Sequence, residues 1–216
     1  MSVIKICGLT HIEDATLSAE CGADLLGLIF HRASARFVDP EEAAALVRAV
    51  QAPSVRWIGV FVDEKPDDIL RSARTIGLQG VQLHGKEPPN VVDRLRGEGL
   101  FVIKAHRVSG SVDLARLDAF EADAHLLDAY AAEAAGGTGR TFDWSLAGDA
   151  STDRRVLLAG GLTPDNVAEA IRSVRPWGVD VSSGVEAAPG RKDSEKIRRF
   201  IAAARAAFDR GEGQDG

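Results

Sequence analysis

Cysteine is scarce. The chain has two cysteines in 216 residues, Cys7 and Cys21, and neither sits in a CxxC pair or in paired Cys/His spacing. That argues against a disulfide framework and against a zinc site, and it fits a reducing, cytoplasmic setting. The five histidines show no HxH-type ligand spacing, so a metal centre is not expected. Long apolar runs are missing too, and without about 18 consecutive apolar residues no membrane span is expected. Basic residues are outnumbered, 26 against 32 acids, for a net charge of -6. A general nucleic-acid surface needs a basic face, so that class is disfavoured. The N-terminus lacks the basic, apolar, small-residue order of a secretory signal. No linker, low-complexity tract or repeat beyond strand–helix alternation stands out.

What is present is a regular alternation. Eight short apolar or β-branched runs read as strands: 3–7, 24–30, 56–62, 80–84, 101–106, 124–129, 154–160 and 178–183. Between and after them, apolar residues recur at helical spacing over 12–21, 40–51, 66–76, 88–97, 111–120, 164–174 and 192–208. After the sixth strand there is room only for a short helix near 143–147. Asp39-Pro40 and Thr163-Pro164-Asp165-Asn166 supply helix starts with proline in the first turn, and Gly22, Gly77 and Gly99 supply helix ends. Nearly continuous apolar strands suit a parallel sheet covered by helices. The expectation is a single α/β domain, a (β/α)8 TIM barrel over 1–210, with a frayed tail over 211–216. The rival is an open doubly wound sheet; its usual GxGxxG turn is absent after the first strand.

In such a barrel, chemistry sits at the carboxyl ends of the strands. The first strand ends on Cys7-Gly8. A free cysteine is usually an inert core residue, and Cys21, inside a helix pattern, reads that way. Cys7 differs because a strand end points into the site. Lys5 shares its face. It is expected to pair with Asp180 across the barrel seam and to favour the Cys7 thiolate. Asp128 ends the sixth strand and can serve as an acid opposite Cys7. Gly160-Gly161 after the seventh strand and Ser182-Ser183-Gly184 after the eighth let backbone N–H groups approach an anion, which points to a phosphate. Arg36 lies in a loop over the barrel mouth and can hold a carboxylate bidentately. His84 and His106 are weaker candidates, each equally readable as a packing histidine.

The ordered set KICGLT (5–10), GLIF (27–30), SAR (34–36), GVFV (59–62), VQLHG (81–85), LLD (126–128), GGTGRTFDW (136–144), LAGGL (158–162) and DVSSGVE (180–186) resembles the phosphoribosylanthranilate isomerase family over about 3–208. The resemblance implies an Amadori rearrangement in tryptophan biosynthesis, with Cys7 as general base and Asp128 as general acid. It implies Arg36 as the holder of the anthranilate carboxylate and the glycines and serines after strands seven and eight as the phosphate site. His84, Asp180 and Gly137, the last in the glycine-rich loop 136–140 expected to close over substrate, complete the substrate-binding set. No cofactor and no metal are implied. The expected partner is a small phosphorylated substrate, with no nucleic acid or membrane, on a monomer or homodimer. One departure is visible: the family's usual Ser-Pro-Arg is Ser34-Ala35-Arg36 here, which implies a looser loop. Two rivals remain. The related aminoaldose isomerase of the histidine pathway would carry an aspartate in place of Cys7. A phosphate-binding barrel without turnover has no reason to keep both Cys7 and Asp128.

Overall fold

Val3–Ile6 forms β1, with Ile4 and Ile6 turned toward the helices and Lys5 toward the barrel axis. The computed structural model describes residues 2–50, 52–108, 114–128 and 154–212. Strands β2 (Leu25–Ile29), β3 (Arg56–Phe61), β4 (Gly80–Leu83), β5 (Phe101–Arg107), β6 (Ala124–Asp128), β7 (Val156–Ala159) and β8 (Gly178–Val181) follow in order. Each pairs in parallel with the next, and β1 pairs with β8 in the register Lys5–Asp180, closing the barrel. The TIM-barrel expectation holds, and the open-sheet rival does not.

Helices α1 (Ile12–Glu20), α2 (Pro40–Ala49), α3 (Pro66–Ile76), α4 (Pro89–Gly97), α5 (Leu114–Asp118), α6 (Val167–Val174) and α7 (Ser194–Glu212) accompany the strands. Strand alternation divides the apolar side chains into two layers. Leu25, Ile58, Ile103, Leu126 and Leu157 pack inside the barrel. Leu26, Val81 and Leu83 face outward and pack with Ile69, Leu95, Val167 and Phe200 from the helices.

Local signals explain the helix ends. The Asp39 carboxylate accepts the Glu41 N–H at 3.0 Å and caps α2. Gly22, Gly77 and Gly99 adopt the left-handed conformation expected after their helices. One start is corrected: Pro164 lies in a turn, and α6 begins at Val167, because Asn166 Oδ1 takes the Thr163 N–H at 2.7 Å and organises that turn first. Helix α7 runs through Gly211 and Glu212, past the expected domain limit at 210. Cys21 is half-buried, packed against the core with Sγ 3.7 Å from an Arg198 nitrogen. The 143–147 helix, the 136–140 loop with Gly137, and 213–216 lie outside the described residues.

Sequence reading did not anticipate a short tail on β8. A 3-10 turn, Ser183–Val185, leads into a small antiparallel hairpin of β9 (Glu186–Ala188) and β10 (Arg191–Lys192). Thr10 donates its hydroxyl to the Gly190 carbonyl at 2.5 Å, and Lys192 donates its N–H to Asp14 at 2.9 Å. The hairpin is thereby tied to the segment that follows β1. Among the described residues no helix is long and apolar enough to cross a membrane.

Candidate active site

A cavity of about 240 Å³ opens at the carboxyl ends of the strands. It gathers Cys7 from β1, Arg36 from the β2–α2 loop, Gln82 and His84 from β4, Asp128 from β6, Gly160 and Gly161 after β7, and Asp180, Ser182, Ser183 and Gly184 from β8 onward. Of the predicted site residues that fall in the described regions, all but the weaker candidate His106 are therefore at one place. A larger hollow, about 870 Å³, lies at the opposite end around Trp57 and Trp177. The thiol and carboxyl groups suited to proton transfer converge on the smaller cavity.

Cys7 is buried beside the Lys5–Asp180 pair, in which Lys5 Nζ donates to Asp180 Oδ1 at 2.8 Å. The predicted pairing is present. Burial pushes the Cys7 thiol up, with Asp180 adding to the rise, while Lys5 and Lys192 pull it down. Lys5 thus acts in the expected direction, toward the thiolate, while burial acts against it. Burial works against the Lys5 ammonium too, yet Asp180 and Cys7 more than compensate and its pKa is raised. Gly27 on β2 makes the room. A Cβ there would lie 2.8 Å from Cys7 Sγ and 3.2 Å from Lys5 Nζ. Gly8, with φ 72, turns the chain away from the thiol where a Cβ would meet Arg36 Cδ at 2.6 Å.

Across the cavity, Gln82 Nε2 lies 2.8 Å from His84 Nδ1, and His84 Nε2 lies 3.5 Å from Asp128 Oδ2. With the Gln82 amide donating, the His84 proton sits on Nε2 and faces the carboxylate. Gln82 Oε1 and Ser182 Oγ are buried and have no partner among the described residues. Buried polar atoms are normally paired, so both are open to a ligand. Gly160 and Gly161 have φ of 86 and 69, a turn that L side chains rarely adopt.

Arg36 is not free. Its Nε and Nη2 donate to Glu186 Oε1 and Oε2, both at 2.7 Å, and the Glu186 bond holds its pKa up. Lys192 Nζ reaches Glu186 Oε1 at 3.1 Å and the Ser182 carbonyl at 3.0 Å. Burial raises Glu186, but Arg36 and Lys192 outweigh it and its pKa falls. Burial lowers Lys192 despite Glu186. In the Ser34-Ala35-Arg36 loop, Ser34 Oγ accepts the Arg36 N–H at 3.1 Å, and just beyond it the Val38 N–H bonds the Ile29 carbonyl at 3.1 Å.

Glu186, Lys192 and Gln82 are the groups that sequence reasoning missed. The fifth-strand end is also reassigned. Lys104 points outward to Glu87 at 2.7 Å. His106 also faces outward, where its Nε2 lies 3.1 Å from His125 Nδ1. His106 is thus a packing histidine.

A closed eight-stranded parallel barrel with a thiol, a carboxyl and an anion-receptive turn at its carboxyl ends belongs to the class of (β/α)8-barrel enzymes. The family follows from comparison. The model of the N-(5'-phosphoribosyl)anthranilate (PRA) isomerase family matches residues 4–203, and the chain belongs to that family. It is 49% identical over 205 residues to the N-(5'-phosphoribosyl)anthranilate isomerase of Geobacter sp. (strain M21), covering 95% of this chain and 98% of that one. It resembles the crystal structure of the Thermotoga maritima enzyme at TM-score 0.87 and 46% identity, covering 95% of this chain and 100% of that chain. A further isomerase crystal structure holds reduced 1-(o-carboxyphenylamino)-1-deoxyribulose 5-phosphate; it matches at TM-score 0.85 and 43% identity, with the same coverage.

Proposed function

We propose that this chain converts N-(5'-phosphoribosyl)anthranilate into 1-(2-carboxyphenylamino)-1-deoxyribulose 5-phosphate in tryptophan biosynthesis, with Cys7 as base and Asp128 as acid. The observation that carries this reading is that both groups line one small cavity, one from β1 and one from β6. A rearrangement that takes a proton from carbon and gives one to oxygen needs two groups so placed.

The placement of Cys7 and Asp128 in one cavity supports the following steps. Asp128 protonates the ribose ring oxygen, the bond from C1′ to that oxygen breaks, and a Schiff base forms. Cys7 takes the C2′ proton and the electron pair becomes the C1′–C2′ double bond of an enolamine. Protonation at C1′ and loss of the C2′ hydroxyl proton give the ketose. His84, beside Asp128, orients the acid. Arg36 takes the anthranilate carboxylate on the part of its guanidinium that Glu186 leaves open. Gly160, Gly161, Ser182, Ser183 and Gly184 receive the phosphate, Asp180 a ribose hydroxyl, and Gly137 belongs to the loop that covers the substrate.

The oligomeric state in this reading is monomer or homodimer; among relatives, the Thermotoga maritima enzyme is dimeric and monomers of it have been crystallised. The setting is cytoplasmic.

The test is steady-state turnover of phosphoribosylanthranilate, made in place from anthranilate and phosphoribosyl pyrophosphate and followed by loss of fluorescence. Cys7→Ser and Asp128→Asn should each lower kcat by about 10²- to 10⁴-fold with the fold intact. Turnover within a few-fold of wild type in either variant would remove that residue from its role.

A further inference from the structure

Arg36 meets a carboxylate before any ligand arrives. Glu186 occupies its Nε/Nη2 edge, and an arginine–glutamate pair alone carries no net charge to attract a carboxylate. Lys192 changes that balance. Its side chain is fully buried and lies against Glu186 Oε1, so two cations surround one anion. Farther out, Lys196 donates to the Glu186 carbonyl at 2.8 Å, Asp14 accepts the Lys192 N–H at 2.9 Å, and Asp193 accepts the Lys196 N–H at 3.0 Å. At the Glu186 carboxylate itself, Arg36 and Lys192 leave one positive charge in excess. The Lys5–Asp180 pair beside it cancels internally.

Lys192 does not line the cavity. It can act on a ligand only through Glu186 and through the field. Its position is built rather than incidental: the ammonium is held by Glu186 and the Ser182 carbonyl, the backbone by Asp14. Burying an ammonium is costly unless it is compensated, and the burial here already disfavours the charge. An arriving carboxylate at Arg36 supplies the missing compensation.

We propose that Lys192 is a specificity-determining positioning residue: it offsets the Glu186 charge so that Arg36, while held in place by Glu186, still selects a substrate bearing a carboxylate on its aryl amine. This rests on the reading above, in which Arg36 takes that carboxylate.

Two stable probes separate the effects. Reductive amination of ribose 5-phosphate with anthranilate or with aniline gives secondary amines that differ only in the carboxylate. Their Kd values are measured by titration calorimetry on wild type, Lys192→Gln, Lys192→Met and Arg36→Lys. Wild type should prefer the carboxylated amine by at least about tenfold, and Lys192→Gln should shrink that preference by about tenfold while the aniline-derived Kd moves less than about twofold. Lys192→Met, which keeps the buried stem, gives the same reading if the glutamine variant does not fold. A purely structural lysine would weaken both amines in parallel, and that result, or an unchanged preference, overturns the proposal. A preference lost in Arg36→Lys but kept in Lys192→Gln also overturns it while leaving the carboxylate clamp standing. A wild type with no preference removes the clamp and the proposal together.

Discussion

Replacing Lys5 with methionine leaves the Asp180 carboxylate in the barrel without its ammonium. The two groups are 2.8 Å apart, with side-chain exposures of 0% and 10%. Removing one member of so buried a pair costs about 3–5 kcal/mol, because the remaining charge is stranded away from water. For a chain of this size that loss should lower Tm by roughly 10 °C. The same substitution removes the nearest cation that pulls the Cys7 thiol down, so the thiol should titrate at higher pH. Unfolding by urea gives the first quantity. The pH dependence of alkylation, in a Cys21→Ser background, gives the second. Adding Asp180→Leu should recover stability to within about 1 kcal/mol of wild type, since an apolar pair needs no charge partner. If the double variant is as unstable as Lys5→Met alone, the loss comes from packing and the electrostatic reasoning fails. If the thiol titration does not move, Lys5 has no influence on Cys7.

Gly27→Ala should displace the thiol, because its Cβ would meet Cys7 Sγ at 2.8 Å and Cys7 Cα at 3.1 Å. The expected cost is about 1–3 kcal/mol in stability and about 100-fold in kcat; kcat within twofold of wild type would sink this account. Gln82→Leu should lower kcat about tenfold, since His84 loses its orienting donor, and raise KM as well, since the ligand loses the free Oε1 acceptor. His125 is lowered to about 4, by burial and then by Arg154. A base that resists protonation only when folded contributes stability above pH 6.5, and that contribution is lost as pH falls from about 6.5 to about 4. The loss should be about 2 kcal/mol after solvent screening, read from urea unfolding at both pH values. It should disappear in His125→Gln.

The strand ends were readable because β1 and β8 are neighbours only in a closed barrel. Alternation along VIKI then puts Lys5 inside and opposite Asp180, as found. Cys7, Asp128 and the glycine turns follow from the same logic. The face assignment failed on β5. His106 ends the expected strand FVIKAH (101–106) and is a weaker site candidate for that reason, but it points to the helices, as Lys104 does. Glu186 and Lys192 were hidden for another reason. They sit on strands of three and two residues, too short to leave a periodic signal. Their partner Arg36 is 150 residues from Glu186 in the chain, and no spacing pattern spans that distance.

The ties between Arg36 and Glu186, Thr10 and Gly190, and Asp14 and Lys192 join the first fifth of the chain to its last. Synthesis runs from the N-terminus, so Cys7 and Arg36 emerge long before the residues that hold them. A ribosome that stops short of the β9–β10 hairpin releases a chain whose base has no finished pocket and whose arginine has no anchor. Activity in this molecule is therefore a report on a completed chain. Two fragments divided in the middle should be silent apart and regain function only when mixed.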